Sequence, residues 1–180
     1  SDVYKRQVKK AVGISPQDTA VAENLTVREN LELMAKIYGF TQEKRNERVA
    51  EMQRMFKLEE VMEQRTKTLS GGWKRRVSIA MALISEPEVL FLDEPTLGLD
   101  VLARRELWSA IKSLKGRTTV ILTTHYMEEA EQLSDRVAVM VSGRLRALGT
   151  LAELEALTGE KGLENAFIKI AESSEGGEAV

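Results

Sequence analysis

The feature that most constrains the fold is a wholly apolar run at residues 89–92, which leads directly into Asp93 and Glu94. A short run of this kind is typical of a strand that is buried on both faces, as in a parallel sheet. A second β-rich run follows at residues 118–123, and helical patterns lie before and between the two. Alternating strands and helices predict a parallel sheet covered by helices on both faces. We therefore expect an α/β fold with a mostly parallel sheet flanked by helices.

The region before this sheet predicts a short strand and then a helical insert. Residues 8–15 can form the strand, which Pro16 ends. Thr26 and Glu29 have the spacing of a helix capping box, and apolar residues recur after them at helical spacing. A second amphipathic helix is expected after Gly39.

The region after the sheet predicts a terminal hairpin and two short helices. Ser142 and Gly143 form a two-residue turn signal between two apolar runs. The helices are expected near residues 151–157 and 163–171. Asp100 is placed to cap a helix over residues 101–114.

The composition excludes several classes of protein. Of the 180 residues, 43% are hydrophobic and 30% are charged, which is ordinary for a globular domain. The formal net charge is only −2, so we expect no nucleic-acid partner. The absence of cysteine excludes disulfides and thiolate metal sites. The longest apolar runs are far shorter than the ~20 residues that span a bilayer.

Both ends are expected to lie outside the folded domain. Residues 1–7 match no pattern in the rest of the chain, and we interpret them as a non-native sequencing or cloning scar. Residues 172–180 are rich in Ser, Gly and Glu, which predicts a disordered tail. The domain then covers residues 8–171, with a helical subdomain at about residues 24–85 and the core strands and helices at about residues 88–150.

Ser70, Gly71 and Gly72 precede an apolar helix that reaches about residue 85. The free N–H groups and the positive end of the helix dipole attract anions, and glycines let a phosphate approach the backbone closely. A plain helix cap is the more common interpretation of an isolated Ser-Gly-Gly. The acids at the end of the apolar run favour a phosphate site, because open parallel sheets bind ligands at the carboxyl ends of their strands.

Asp93 and Glu94 are neighbours in the sequence, so their side chains point in different directions and suit separate roles. One carboxylate can hold Mg²⁺, and the other can orient and deprotonate a water molecule, although Asp-Glu-Pro after a strand is by itself usually a turn. His125 is the only histidine and is expected at the same sheet edge, within reach of a γ-phosphate. A lone histidine is otherwise more often a structural hydrogen-bonding group. Gln17 by itself is a loop glutamine.

Taken in order, these elements resemble the ATP-binding cassette (ABC) ATPases over about residues 8–171. The resemblance assigns the signature motif to residues 69–72, the Walker B strand to residues 89–94, the D-loop to residues 97–100, the switch histidine to His125 and the Q-loop to Gln17.

The resemblance implies an ATPase that uses ATP and Mg²⁺ and works in pairs. In the family, the signature motif of one ATPase subunit caps the nucleotide that the second subunit holds. It implies that Asp93 and Gln17 bind Mg²⁺ and that Glu94 and His125 are catalytic. It implies nucleotide contacts from Gln17, Ser70, Gly71, Gly72, Asp93 and Asp100.

Three segments resemble the branch that powers export of drugs, lipids or polysaccharides: LTVRENLELMAKIYGF, LGLD and LENAFIKI. This branch works with separate membrane-spanning permease subunits, which implies a peripheral position on the cytoplasmic face of the cell membrane. The permease contact is expected around residues 24–38.

Two departures from the family pattern stand out. The 180 residues contain no G-x-x-x-x-G-K-[ST] phosphate loop, so we expect a fragment that is inactive alone and binds Mg-ATP weakly. Trp73 stands where the family most often has glutamine, and its indole ring cannot accept a hydrogen bond. Trp73 is either a tolerated variant near the nucleotide or a packing residue.

Two other functions remain open. The chain could be a non-transport ATPase of the same superfamily, although those usually carry two cassettes or a long coiled-coil insertion. It could also be a non-catalytic partner that supplies only the signature face. The presence of both Glu94 and His125 argues against that second alternative.

Overall fold

The computed structural model describes residues 11–175, which form two compact units that meet in the sequence between Thr123 and Thr124. Residues 1–7, which we interpret as a scar, lie outside the described residues. The last five residues of the predicted tail also lie outside them. In the part of the chain that is described, no helix is both long and apolar enough to cross a bilayer.

The first unit contains three strands and four helices. In chain order they are β1 (Val12–Ser15), α1 (Val27–Ile37), α2 (Gln42–Met55), two 3-10 turns (Glu59–Val61 and Thr66–Thr68), α3 (Gly71–Leu83), β2 (Val89–Asp93), α4 (Val101–Lys112) and β3 (Thr119–Thr123).

The three strands form a parallel sheet in the order β1-β2-β3. Ser15 pairs with Leu92, and Asp93 pairs with Thr123. On one face, Leu90 and Leu92 are buried, and α3 packs against β1 and β2 on this side of the core. The expected α/β fold, with a parallel sheet flanked by helices, is confirmed.

The other face of this sheet is more exposed than the sequence predicts. Ile14, Phe91 and Ile121 form one row across the three strands, with exposed fractions of 64%, 40% and 47%. The expectation of cover on both faces is therefore wrong for this row, because the described helices leave it open. An apolar pattern predicts that a strand is buried, but it does not show which element covers it.

The helical insert forms as its local signals predict. The hydroxyl of Thr26 accepts a hydrogen bond from the N–H of Glu29 at 3.1 Å, and the Glu29 carboxylate accepts one from the N–H of Thr26 at 2.7 Å. The predicted capping box is thus confirmed. Leu31 of α1 and Met52 of α2 are almost fully buried, so the two helices share one core.

Arg48 of α2 closes the carboxyl end of α3. Its guanidinium donates to the carbonyl oxygens of Leu83 at 2.7 Å and Ile84 at 3.2 Å, and the residue is only 2% exposed. A cation is favourable at this end of a helix because the unpaired carbonyls carry partial negative charge.

Glu51 completes the cluster by pairing with both Arg48 and Arg117, the latter at 2.7 Å. Burial raises the pKa of Glu51, but its hydrogen bond from Arg117 and the charge of Arg48 outweigh burial and hold the pKa below its ordinary value. Since Arg117 lies shortly before β3, the cluster joins the helical insert to the sheet.

The second unit contains α5 (Met127–Leu133), β4 (Val137–Val141), β5 (Arg144–Gly149), α6 (Leu151–Thr158) and α7 (Leu163–Glu175). The predicted hairpin is confirmed: β4 and β5 pair antiparallel, and both turn residues, Ser142 and Gly143, have positive φ. Such angles are typical of the type I′ turn, which suits strand twist. The hairpin packs with the helices through Ala130, Val139, Ala147, Leu154, Leu163, Ala166 and Ile170.

The predicted start of the tail is wrong, because α7 continues through residues 172–175. The hydroxyl of Ser173 donates to the carbonyl of Lys169, one turn earlier, at 2.8 Å. No glycine or proline precedes Gly176 in this stretch, so a polar composition alone does not end the helix.

Replacement of Arg48 by methionine should lower the free energy of unfolding by about 2 kcal/mol, because the two carbonyls and Glu51 lose a charged donor. Denaturant unfolding of the parent chain and R48M measures the difference. Arg54 lies exposed on the same helix, and R54M is the matched control, with an expected change below about 0.5 kcal/mol. Equal stability of R48M and R54M would contradict the capping role.

Candidate functional site

The carboxyl edge of the parallel sheet gathers three of the predicted site residues. Asp93 ends β2, Glu94 follows it, and Gln17 lies two residues beyond the end of β1. Thr123, opposite Asp93 at the end of β3, donates its hydroxyl to the Asp93 carboxylate. The strand order thus brings these residues to one edge, while their chemical roles stay predictions.

Glu94 adopts an unusual backbone conformation, with φ of 46°. This left-handed region is costly for a residue that has a Cβ atom. The N–H of Glu94 donates to the carbonyl of Thr123 at 3.1 Å, which holds the turn against β3. The turn lets the chain change direction immediately after Asp93.

Arg75 is a residue of this edge that sequence reasoning missed. Its side chain extends from α3 and donates to the carbonyl oxygens of Pro16, at 2.7 Å, and Gln17. Burial lowers the pKa of Arg75, while the negative charges of Asp93 and Asp18 act in the opposite direction. Arg75 therefore holds the backbone at Gln17 and adds positive charge near Asp93. The available signal was the basic run at residues 74–76 inside an otherwise apolar helix.

The start of α3 is exposed. Ser70 is the N-cap residue, its backbone is extended, and its side chain makes no capping hydrogen bond. Gly71 is exposed, and no atom lies within 4 Å of the position that a Cβ would take there. A Cβ on Gly72 would lie 3.4 Å from a side-chain atom of Leu99, an ordinary contact distance, so the helix start lies beside the segment before α4. Ser70 and Gly71 therefore face outward.

Asp100 caps α4, as predicted. Its Oδ1 accepts hydrogen bonds from the N–H groups of Leu102 and Ala103, both at 2.9 Å. The bond from Ala103, supported by that from Leu102, holds the pKa of Asp100 below its ordinary value. The carboxylate thus stabilises the helix start, and its contact with nucleotide stays a prediction.

His125 lies two residues beyond β3, in the second unit. Its ring is exposed and contacts the ring of Tyr126, with centroids 4.2 Å apart. The N–H of Tyr126 donates to the hydroxyl of Thr124 at 3.0 Å, which fixes the turn that carries the histidine. Its expected place beside Glu94 stays a prediction.

The oxygen donors at the sheet edge fit Mg²⁺. Within residues 11–175, no three His, Cys, Asp or Glu side chains cluster as a complete metal site. Mg²⁺ usually needs only one or two protein oxygen ligands and completes its shell with phosphate and water. The Asp93 carboxylate and the Gln17 amide can provide such ligands.

Comparison with known proteins agrees with the resemblance seen in the motifs. Residues 2–97 match the family model described as ABC transporter, and residues 67–129 match one described as AAA domain, putative AbiEii toxin, Type IV TA system. Daunorubicin resistance ATP-binding protein DrrA3 of Streptomyces coeruleorubidus is 44% identical over 84% of this chain. Phospholipid-transporting ATPase ABCA3 of Mus musculus is 42% identical over 80% of it.

The chain spans only part of these relatives: 48% of the Streptomyces protein and 8% of the mouse protein. A solved ATP-binding subunit of an ABC transporter superposes with a TM-score of 0.79 and 29% identity. The superposition covers 89% of this chain and 68% of that subunit. The family match extends over more than half of the sequence and includes both α3 and the end of β2, so this chain belongs to the ABC transporter family.

Proposed function

We propose that this chain is the part of an ABC transporter ATPase that carries the catalytic acids and the signature helix, and that the intact subunit hydrolyses ATP to power export. The observation that carries the proposal is the arrangement of Asp93 and Glu94 at the carboxyl edge of the sheet. Thr123 forms hydrogen bonds with the carboxylate of Asp93 and with the backbone N–H of Glu94. Open parallel sheets bind their ligands at this edge.

Glu94 would act as the general base for the attacking water, because a carboxylate just beyond a strand end can accept its proton. Asp93 and Gln17 would hold Mg²⁺, which when bound neutralises charge on the phosphate oxygens. His125 would contact the γ-phosphate. The hydrogen bonds from Arg75 to the backbone at Gln17 support a fixed position for this ligand.

The exposed start of α3 would serve a second ABC ATPase subunit, identical or different. Ser70, Gly71 and Gly72 would contact the phosphates of the nucleotide that the partner holds, and Asp100 would lie at the same interface. The exposure of Ser70 and Gly71 supports this, since helix N-termini bind phosphate well.

Residues 24–38 would contact the membrane-spanning permease subunits. Leu33 and Ile37 are one turn apart on α1 and are 40% and 66% exposed, so an apolar ridge is available for a partner. The subunit would then lie at the cytoplasmic face of the membrane. Among the relatives, one is a daunorubicin resistance protein and one a phospholipid-transporting ATPase, which favours export as the direction of transport.

The chain alone would not hydrolyse ATP. It contains no phosphate loop, which supplies most phosphate contacts in P-loop ATPases. The exposed row of Ile14, Phe91 and Ile121 also supports a larger subunit that covers this face of the sheet. The share of each relative that the chain spans agrees with this proposal.

Hydrolysis by an intact subunit that combines this chain with a phosphate loop tests the proposal. We expect steady-state Mg-ATP hydrolysis, which E94Q should reduce at least about 100-fold by removing the base. Glu88 precedes the same strand at its opposite end, so E88Q is the matched control and should retain activity. The chain alone serves as the inactive reference.

Two results would contradict this account. Parent-like hydrolysis by E94Q would exclude Glu94 as the base, and hydrolysis by the chain alone would show that the phosphate loop is not needed.

Because Glu94 has a positive φ, we expect its side chain to lower the free energy of unfolding while it serves the proposed reaction. The free energy of unfolding of E94G should be about 1 kcal/mol higher than that of E94A, because glycine adopts the left-handed conformation without a Cβ clash. Both variants lack the carboxylate, so only the backbone preference differs. Denaturant unfolding of the two chains gives the comparison, and an E94A chain that is as stable as E94G would show that the turn carries no strain.

A further inference from the structure

Trp73 lies in the first turn of α3, and the proposed reaction assigns it no role. The residue is half-buried and precedes Arg76 by three positions, so the two side chains lie on one face of the helix. The guanidinium carbon of Arg76 lies 4.8 Å from the centroid of the indole ring. This is the geometry of a cation–π contact.

Arg76 connects this ring to α4. Its guanidinium binds the carboxylate of Glu106, which Lys57 also contacts at 3.2 Å. The side chain of Arg76 is only 9% exposed, so its charge depends on these partners for compensation. The hydrogen bond from Arg76 holds the pKa of Glu106 below its ordinary value, which keeps the carboxylate ionised at neutral pH.

The two helices joined in this way begin at two proposed functional segments. α3 starts directly after Ser70, and α4 starts directly after Asp100. Gly72 also lies beside the side chain of Leu99, the residue before Asp100. The ion pair between Arg76 and Glu106 thus joins α3 to α4.

We propose that Trp73 is a positioning residue for ATP hydrolysis. Its ring holds the Arg76 guanidinium on Glu106, and this fixes the phosphate-facing start of α3 relative to the segment that ends at Asp100. The inference rests on the proposed function. It also explains why an indole ring serves at a position where a hydrogen-bonding side chain is usual: the contact uses the face of the ring rather than an acceptor atom.

A role in simple packing makes a different prediction. A packing role depends on apolar volume, which phenylalanine, methionine and leucine all reduce relative to tryptophan, so it predicts a loss in all three variants. The proposed contact requires an aromatic face, which phenylalanine retains and leucine lacks. The variants W73F and W73L therefore separate the two roles.

Steady-state kinetics of the intact subunit test the proposal. W73L should lower kcat about fivefold, the loss expected for one cation–π contact. KM for ATP should stay within about twofold, because the phosphate loop supplies most of the phosphate contacts. W73F should retain most of the parent kcat. W73M provides a second apolar variant should W73L fail to fold. Parent kcat in W73L or W73M, or an equal loss in W73F and W73L, would overturn the proposal.

A double-mutant cycle in the 180-residue chain tests the contact independently of catalysis. The loss of melting temperature in W73L/R76Q should be smaller than the sum of the losses in W73L and R76Q, because both single variants remove the same contact. Additive losses would overturn the inference even in an active subunit. An inactive parent subunit with a coupled cycle would instead refute the proposed function and the positioning role together, and would leave only the contact.

Discussion

Backbone hydrogen bonds between three parallel strands determine where the proposed catalytic groups of the first unit lie. Because β2 and β3 run in register, the last residue of β3 stands beside Asp93 and bonds to it through its hydroxyl. The same residue accepts the N–H of Glu94 through its carbonyl, so one threonine holds both acids. Loss of the register by one residue would move this threonine to the other face of the sheet and separate the acids from their support.

Helix α3 connects this edge to the rest of the unit. Near its start, Arg75 reaches the backbone at Gln17, and Arg76 reaches α4 through Glu106. At its other end, Arg48 closes the helix from the insert. The helix therefore contacts the strand edge, α4 and the helical insert through three buried guanidinium groups. Two of these contacts, those of Arg48 and Arg75, are hydrogen bonds to backbone carbonyls, and the third is the ion pair of Arg76 with Glu106.

Local signals in the sequence were sufficient for much of the fold. The capping box at Thr26, the cap at Asp100 and the turn at residues 142–143 each involve residues close together in the sequence, and all are present in the structure. The sequence predicted the strand that ends in Asp93 equally well, because a short apolar run is typical of a buried strand. These elements place the candidate acids at the sheet edge without any knowledge of distant contacts.

The features that the sequence did not predict depend on contacts between distant residues. The bond from Arg75 to the loop at Gln17 spans 58 positions, and nothing near Arg75 indicates which carbonyl it meets. The stack of Trp73 on Arg76 is local, but its importance appears only once Glu106 lies opposite. The exposure of Ile121 was missed because an apolar strand pattern predicts burial but does not identify what covers each face.

The most direct test of this account is a structure of the intact E94Q subunit with Mg-ATP. We expect two subunits to enclose the nucleotide, with Ser70 and the N–H groups of Gly71 and Gly72 of one copy on the γ-phosphate and the Asp93 edge of the other copy on the opposite side. A nucleotide bound away from the Asp93 edge, or an α3 start that is covered by its own subunit, would contradict the account.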